Sequence, residues 1–318
     1  MGERNAARSY QLCINPIDTL DTLARTLPLR ADFKRTKSFF YASRRADVAI
    51  KIDQEFAIRR KHGIRVERLD ESDIAKLFPF RAPAALLSAD AAQVDAYRLT
   101  HALLQASVAR GAKVFDKTEI TNIVHHPRSL TLETAYGHTV RARTLVIANG
   151  YESFNYLPFN SIRLHSTFVI TSEPLATADI WYKNCLIWES ATPYLYMRTT
   201  VDRRIIVGGR DEPSFYPHKR DQLLTRKTRE LKKDFTRKFP DLPFRVDFAW
   251  AGTFAETKGG LPYIGTIKQY PHTYFALGFG GNGITFSVIS AEIIRDAVLG
   301  RHNKDVKIFG FERRDDTA

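Results

Sequence analysis

The run Gly278-Phe279-Gly280-Gly281-Asn282-Gly283 has the form Gly-x-Gly-x-x-Gly. It follows a strand-like stretch, residues 274–277, and precedes a helix-like stretch, residues 284–299. A strand, a glycine turn and a helix start together suit an anionic ligand, because backbone N–H groups and the positive helix end point at it. The pattern therefore predicts a turn that closes over a cofactor.

The surroundings of this turn differ from those of a complete dinucleotide fingerprint. Such a fingerprint continues into a second parallel strand that ends in an acidic residue about 20 residues later. The candidate for that strand here, residues 304–309, is a weak one. We therefore expect the main cofactor-binding unit to lie elsewhere.

Composition predicts a globular protein without a membrane span. The 318 residues are 44% hydrophobic and 26% charged, and they include two cysteines, Cys13 and Cys185. Two cysteines without metal spacing fit a reducing compartment and argue against a disulfide scaffold. No apolar run approaches the roughly 20 residues of a membrane helix, and the polar start lacks the core of a signal peptide. We expect a cytoplasmic location.

The net charge of +13 raises the question of an anionic partner. Basic residues are densest in residues 218–238, where Leu224, Leu231 and Phe235 recur at helical spacing. This spacing predicts a surface helix with one buried stripe. A solvated face is favoured over a nucleic-acid surface, because no aromatic-interleaved basic motif accompanies the charge.

Two kinds of pattern alternate along the chain. Helical periodicity occurs first, with Pro16 as an expected break and Asp95 as an expected cap, at residues 6–27, 48–62 and 94–110. Strand-like runs follow at residues 112–115, 119–124, 129–134 and 143–148. The last run is nearly all apolar and ends in Asn149-Gly150, which is typical of a buried parallel strand that leads to a ligand.

From about residue 163 to residue 248 the pattern changes to alternating strands with one helix, which predicts a mostly antiparallel sheet. The first kind of pattern then returns. Taken in order, several stretches resemble the D-amino acid oxidase and glycine oxidase family of FAD-dependent oxidoreductases: residues 93–97, 111–114, 145–151, 250–252, 260–265 and 278–287. The resemblance spans almost the whole chain.

This resemblance implies a mixed α/β (α+β) fold with two domains. An incomplete, Rossmann-like FAD-binding lobe is expected from residues 1–160 and 249–318, and a mostly antiparallel substrate lobe from residues 161–248. Family members begin with a βαβ unit that carries the glycine turn for the FAD pyrophosphate, and no stretch of this chain matches it. We therefore expect a family member that lacks its N-terminal unit.

The family's reaction is oxidation of a carbon–nitrogen bond in an amino acid or secondary amine, with hydride transfer to flavin. Two alternatives remain open. One is an inactive, flavin-free remnant, or a subunit whose missing module comes from a partner chain; the other is a basic nucleic-acid-binding protein. Whether the chain is an active enzyme stays open at this point.

Residues for a substrate are expected on one predicted strand. In Tyr194-Leu-Tyr-Met-Arg198 the two tyrosines alternate with the arginine, so Tyr194, Tyr196 and Arg198 would share one face. We expect Arg198 to bind the carboxylate of an amino acid in bidentate fashion and Tyr196 to line the pocket. A solvent-exposed arginine at a strand edge is the alternative.

No side chain is expected to act as a catalytic acid, base or nucleophile, and no metal site is expected, because the histidines lack ligand spacing. FAD would be non-covalent, since Cys185 lies on an apolar strand. The residues that the resemblance implies for FAD are Val114, Asn149, Gly150, Gly252, Leu261, Gly280, Gly281, Asn282, Gly283, Ile284 and Thr285.

Overall fold

The computed structural model describes residues 2–152 and 162–312. The chain divides into two compact units, each made of separate segments. Unit 1 comprises Met1–Ala31, Asp95–Arg163 and Ala255–Ala318, and unit 2 comprises Asp32–Val94 and Leu164–Phe254. This division differs from the expected lobes mainly in residues 32–94, which pack with the second unit.

Unit 1 contains most of the helices and two small sheets. Its helices are α1 (Glu3–Thr26), α4 (Ala96–Val108), α6 (Gly283–Val298) and α7 (Val306–Phe309). Its strands are β4 (Ile120–His126), β5 (Ser129–Thr134), β6 (Thr139–Ala142), β7 (Leu145–Ile147), β13 (Tyr263–Thr266) and β14 (Thr273–Leu277).

Unit 2 is built on one large sheet. Its strands are β1 (Lys34–Tyr41), β2 (Val66–Asp70), β3 (Ala84–Gln93), β8 (Ile162–Ser172), β9 (Leu186–Glu189), β10 (Leu195–Thr199), β11 (Ile205–Glu212) and β12 (Val246–Thr257), of which β8 and β12 begin or end in unit 1. Its helices are α2 (Gln54–Lys61), which continues a π-helix at Val48–Asp53, α3 (Glu71–Leu77) and α5 (Pro217–Lys238).

The sheet of unit 2 has the strand order β12-β8-β11-β10-β9-β1-β3-β2. All the described pairings are antiparallel except that of β1 with β9. One face carries the main hydrophobic core, which includes Phe39, Phe168, Met197 and the α5 residues Leu231 and Phe235. The mostly antiparallel sheet is therefore confirmed, and it extends into residues 32–94 because β1 pairs with both β3 and β9.

Helix α5 binds this face through ion pairs as well as apolar side chains. Lys227 pairs with Glu212 at 2.5 Å, and Arg210 donates to Asp234. Lys238 lies 3.6 Å from the carboxylate of Glu189. The basic run of α5 thus supplies internal contacts in addition to surface charge.

In unit 1, β13, β14 and β7 form a three-stranded sheet in which β14 and β7 are parallel. Helices α1, α6 and α7 bury side chains such as Leu12, Phe286 and Phe309 against residues of β13 and β14. The separate antiparallel sheet β4-β5-β6 contributes Ile123 to a second cluster around Ile147. Both sides of the parallel pair are therefore partly covered.

Two local expectations for unit 1 were wrong, and the weak candidate for a further strand has another structure. Residues 112–115 form no strand, because they have no strand partner among the described residues, and Phe115 is 72% exposed. Residues 306–309 form α7 instead of a strand. Pro16 lies inside the continuous helix α1.

Other expectations were confirmed. The side chain of Asp95 accepts a hydrogen bond from the N–H of Arg98 and caps α4, and Gly111 follows with φ of 94°. The fold is mixed α/β. Within residues 2–152 and 162–312, no helix is both long and apolar enough to cross a bilayer.

Candidate functional site

The glycine turn of unit 1 joins the C-terminal end of β14 to the N-terminus of α6. Gly278 and Gly280 have φ of 70° and 54°, which L-residues with a side chain rarely adopt. A β-carbon on Gly278 would lie 2.5 Å from Cγ2 of Thr257, whereas one on Gly280 would meet nothing within 4 Å. Gly278 thus allows close packing inside the protein, and Gly280 leaves space in front of the helix.

The N-terminus of α6 suits a polar ligand. Asn282 precedes the helix but makes no side-chain hydrogen bond to its first N–H groups. The hydroxyl of Thr285 donates to the carbonyl oxygen of Asn282 at 3.1 Å. The first N–H groups of an α-helix have no partner within the helix, so this end can bind a phosphate or a flavin carbonyl oxygen. The residues present therefore fit the expected cofactor.

Asn149 and Gly150 stand at the same edge of the sheet as this turn. They follow β7, whose Ile147 is in register with Phe275 of the parallel strand β14. Because parallel strands end at the same edge, the two turns leave the sheet side by side. Gly150 has φ of 65°, and a β-carbon there would meet nothing within 4 Å.

The remaining residues expected near FAD are more dispersed. Val114 is exposed in the irregular segment after α4, and Ile284 is exposed in the first turn of α6. Leu261 is half-buried, and its carbonyl oxygen accepts a hydrogen bond from Thr257 at 2.8 Å. Gly252 lies on β12 in unit 2. The structure thus brings together Asn149, Gly150 and residues 280–285, and their role in binding FAD stays a prediction.

Strand β10 in unit 2 directs alternate side chains to opposite faces of the large sheet. Leu195 and Met197 are buried in the core beside α5, whereas Tyr196 and Arg198 are half-buried on the other face. The rings of Tyr194 and Tyr196 lie 5.9 Å apart. The shared face predicted from the alternation of Tyr196 and Arg198 is present, and their role in binding a substrate stays a prediction.

Several aromatic and polar side chains share this face, which we call the aromatic face. His165 stacks on Phe254 with ring centroids 5.5 Å apart. On β12, Ala249 and Ala251 pack against the main core. Trp250 lies between them in the strand and therefore faces the opposite side of the sheet, which is the aromatic face. The aromatic face comprises His165, Thr167, Tyr196, Arg198, Trp250 and Phe254.

The ring of Tyr196 lies directly on the backbone of the neighbouring strand. Gly208 is its partner in register on β11, and a β-carbon there would lie 2.2 Å from Cζ of Tyr196. Burial raises the pKa of the Tyr196 hydroxyl, and the negative charge of Asp211 adds to this rise. A hydrogen bond with the Thr167 hydroxyl and the positive charge of Arg198 lower the pKa but do not cancel the rise. The phenol is therefore a neutral hydrogen-bond donor near pH 7.

The sequence did not indicate that Asp211 belongs to the candidate site. The register of β11 with β8 shifts between Gly209 and Glu212, which is a β-bulge, and Arg210 within it has φ of 59°. Arg210 and Glu212 bind residues of α5 on the core face, so Asp211 between them points toward the aromatic face. The consecutive glycines Gly208-Gly209 inside a strand were the available signal, since glycine there often marks a bulge.

Metal ligation and thiol chemistry find no support in the part of the chain that the structure describes. No group of three or more His, Cys, Asp or Glu side chains is placed to hold a metal among residues 2–152 and 162–312. Cys13 and Cys185 are not bonded to each other. Burial raises the pKa of Cys13 to about 11 and that of Cys185 to about 12, so both are protonated thiols at neutral pH.

Residues 2–297 match the family model described as FAD dependent oxidoreductase, abbreviated DAO. The match covers most of the chain, and the chain belongs to this family.

Two curated relatives illustrate the range of similarity. The probable oxidoreductase OrdL of Haemophilus influenzae is 23% identical over 312 residues, which is 94% of this chain and 69% of that protein. Glycine oxidase of Bacillus subtilis is 25% identical over 230 residues, covering 71% of this chain and 60% of that protein. The chain therefore spans about two thirds of the length of these relatives.

Solved structures share the fold over nearly the whole chain. Glycine oxidase from Geobacillus kaustophilus superposes with a TM-score of 0.79 at 19% identity, covering 96% of this chain and 82% of that one. L-Proline dehydrogenase from P. horikoshii gives a TM-score of 0.78 at 18% identity, covering 94% and 81%. At this level of identity the likeness establishes the fold alone.

Proposed function

We propose that this chain forms part of an FAD-dependent enzyme that oxidises the carbon–nitrogen bond of an amino acid or a secondary amine. The observation that carries the proposal is the presence of Tyr196 and Arg198 on one face of the large sheet, in a chain that belongs to the FAD dependent oxidoreductase family. Relatives and structural neighbours named glycine oxidase and L-amino acid deaminase support the same class of substrate.

Each group has a separate part in this proposal. Arg198 binds the substrate carboxylate, because a guanidinium offers two parallel N–H donors to a carboxylate. Tyr196 donates a hydrogen bond from its neutral hydroxyl and closes one side of the pocket. The turn at Gly280–Asn282 and the first residues of α6 provide backbone N–H donors for non-covalent FAD. When bound, the flavin accepts the hydride from the substrate.

The first experiment uses the full chain. After expression and desalting, its visible absorption spectrum is recorded with and without added FAD. We expect a flavin band that stays with the protein and is bleached anaerobically by at least one amino acid. Retention of flavin without bleaching by any amino acid or secondary amine would contradict the proposed reaction. Failure to retain added FAD would contradict cofactor binding by this chain alone.

We further propose that a strand–turn–helix segment outside the described residues holds the FAD pyrophosphate and pairs with the free edge of β7. Three observations support it. Strand β7 pairs only with β14 among the described strands, and its Val146 is 45% exposed. Unit 1 also exposes four apolar side chains on α4 and in the segment that follows it, namely Leu104, Val108, Val114 and Phe115. The segment belongs to this protein or to a partner chain.

A pair of matched valines tests this docking. Val146→Lys places a charge beside the free edge of β7, and we expect it to weaken FAD binding in a preparation that retains flavin. Val140→Lys is the control, because Val140 has almost the same exposure, 46%, on the separate sheet β4-β5-β6. Equal FAD affinity of the two variants would remove β7 from the docking surface.

A cytoplasmic location also remains part of the proposal and is supported by the two cysteines, which form no disulfide.

A further inference from the structure

We propose that Asp211 binds the amino group of the substrate and thereby selects amino acids over carboxylic acids that lack an amino group. The inference rests on the proposed function of the aromatic face. Its basis is the β-bulge in β11, which turns Asp211 toward the face of the sheet that carries Tyr196 and Arg198.

The β-bulge in β11 determines where this carboxylate points. In a regular strand, residues at alternating positions face the same side, so Asp211 would share the core face with Val207 and Gly209. The extra residue between Gly209 and Glu212 changes this alternation. Arg210 and Glu212 consequently reach Asp234 and Lys227 on the core face, and Asp211 faces the other way.

The backbone of Arg210 shows that this arrangement is specific. A φ of 59° is unusual for an arginine, and such a conformation persists only where surrounding contacts impose it. The side chain of Arg210 makes two hydrogen bonds to Asp234, at 2.8 and 2.5 Å, and its carbonyl oxygen accepts one from Lys227 at 2.9 Å. The bulge is thus anchored from the α5 side, and β-bulges commonly redirect a side chain beside a functional site.

Electrostatics agrees with the direction that the bulge gives to Asp211. Asp211 and Arg198 affect the pKa of the Tyr196 hydroxyl in opposite directions, which agrees with a negative and a positive side chain on the same side of the sheet as that phenol. Oδ1 of Asp211 is shielded from solvent. An amino acid at neutral pH carries a carboxylate and an ammonium group, and the pair Arg198 and Asp211 matches both charges.

The test compares the binding of amino acids with that of carboxylic acids that have the same shape but lack the amino group. Glycine, alanine, proline and phenylalanine are each compared with acetate, propionate, cyclopentanecarboxylate and 3-phenylpropionate, which lack the amino group. Binding to the full chain is measured anaerobically by calorimetry in the presence of excess reduced FAD, which cannot accept a hydride from the amino acid. We expect the wild-type chain to bind at least one amino acid about 10- to 100-fold more tightly than its counterpart, the range for hydrogen bonds to charged groups.

Asp211→Asn should reduce this preference to about twofold or less while the affinity for the plain carboxylate stays unchanged. Asp241→Asn, a change of the same kind at an exposed loop position, should leave both affinities at the wild-type value. Should Asp211→Asn fail to fold, Asp211→Ser serves in its place, with thermal unfolding as the check.

The outcomes separate the two proposals. Two results would overturn the role of Asp211 and leave the carboxylate site in place. In the first, the wild-type chain binds amino acids no more tightly than the plain acids. In the second, Asp211→Asn keeps the wild-type preference for amino acids. If neither the amino acids nor the plain acids bind the wild-type chain, the proposed function fails and the role of Asp211 fails with it.

Discussion

Gly208 and Tyr196 are partners in register on adjacent strands, and the tyrosine ring occupies the space where a side chain at position 208 would stand. The Cα position of Gly208 places an added β-carbon 2.2 Å from Cζ and 2.3 Å from the hydroxyl oxygen of Tyr196. The absence of a side chain at Gly208 therefore fixes how the phenol lies on the sheet.

Gly208→Ala should force the Tyr196 ring away from β11. Overpacking of this kind costs about 1–3 kcal/mol in the free energy of unfolding, which urea denaturation measures. In a Tyr196→Ala background the same change should cost almost nothing, because the colliding ring is gone. Gly252→Ala in the same sheet is the control, since a β-carbon there meets nothing within 4 Å. A similar cost for Gly208→Ala in both backgrounds would contradict the explanation.

Arg198 is predicted to bind the carboxylate of the amino acid. Arg198→Lys keeps the positive charge but loses the bidentate geometry, so we expect amino-acid affinity to fall by about 10- to 100-fold. Anaerobic calorimetric titration with the best-bound amino acid, in the presence of excess reduced FAD, measures this affinity. Arg229→Lys on the exposed side of α5 should have no effect. Unchanged affinity in Arg198→Lys would place the carboxylate elsewhere.

The glycine turn should respond differently at its two positions of positive φ. Gly280→Ala should cost about 1–2 kcal/mol from backbone strain alone, because nothing lies within 4 Å of the added carbon. Gly278→Ala should cost more, since its β-carbon also meets Cγ2 of Thr257 at 2.5 Å. Thr257→Ser removes that methyl group and keeps the hydroxyl that donates to Leu261. It should recover part of the loss at Gly278 and none at Gly280, as measured by urea unfolding.

The two thiols should react slowly in the folded chain. At pH 8, below both pKa values, the thiolate fraction rises tenfold per pH unit. A pKa of about 11 for Cys13, against the ordinary 9.0, therefore lowers that fraction about 100-fold. Modification by a disulfide reagent should be at least about 100-fold slower in the folded chain than in the urea-unfolded chain. The rate in the folded chain should rise as the pH approaches 11. In Cys13→Ala the remaining Cys185, with a pKa of about 12, should react more slowly still. Fast modification of the folded chain at pH 8 would contradict the raised pKa values of the two thiols.

Features determined within a few residues could be predicted from the sequence. The Asp95 cap of α4 and the alternation of Tyr196 and Arg198 on β10 depend only on local spacing. Features that need a distant partner could not. Residues 112–115 have strand-forming side chains but no strand beside them among the described residues, and β1 joins the second unit through pairing with β9.

The position of Asp211 illustrates a third kind of limit. Its direction depends on one extra residue in β11 and on a left-handed backbone at an arginine, which side-chain preferences do not indicate. The same limit applies to Pro16, which the sequence marked as a helix break and the fold accommodates inside α1. In both cases contacts with distant residues override local preference.

The parallel pairing of β1 with β9 has a consequence for the nascent chain. Tyr41 on β1 and Glu189 on β9 are joined by a hydrogen bond of 2.5 Å across a separation of 148 residues. At translation rates of about 5–20 residues per second, β1 emerges from the ribosome about 7–30 s before its partner. During that interval one edge of the β1–β3 pair, carrying Phe39 and Phe40, lacks its neighbour. The large sheet of unit 2 can therefore be completed only late in synthesis, and chaperone dependence should be concentrated in residues 34–93.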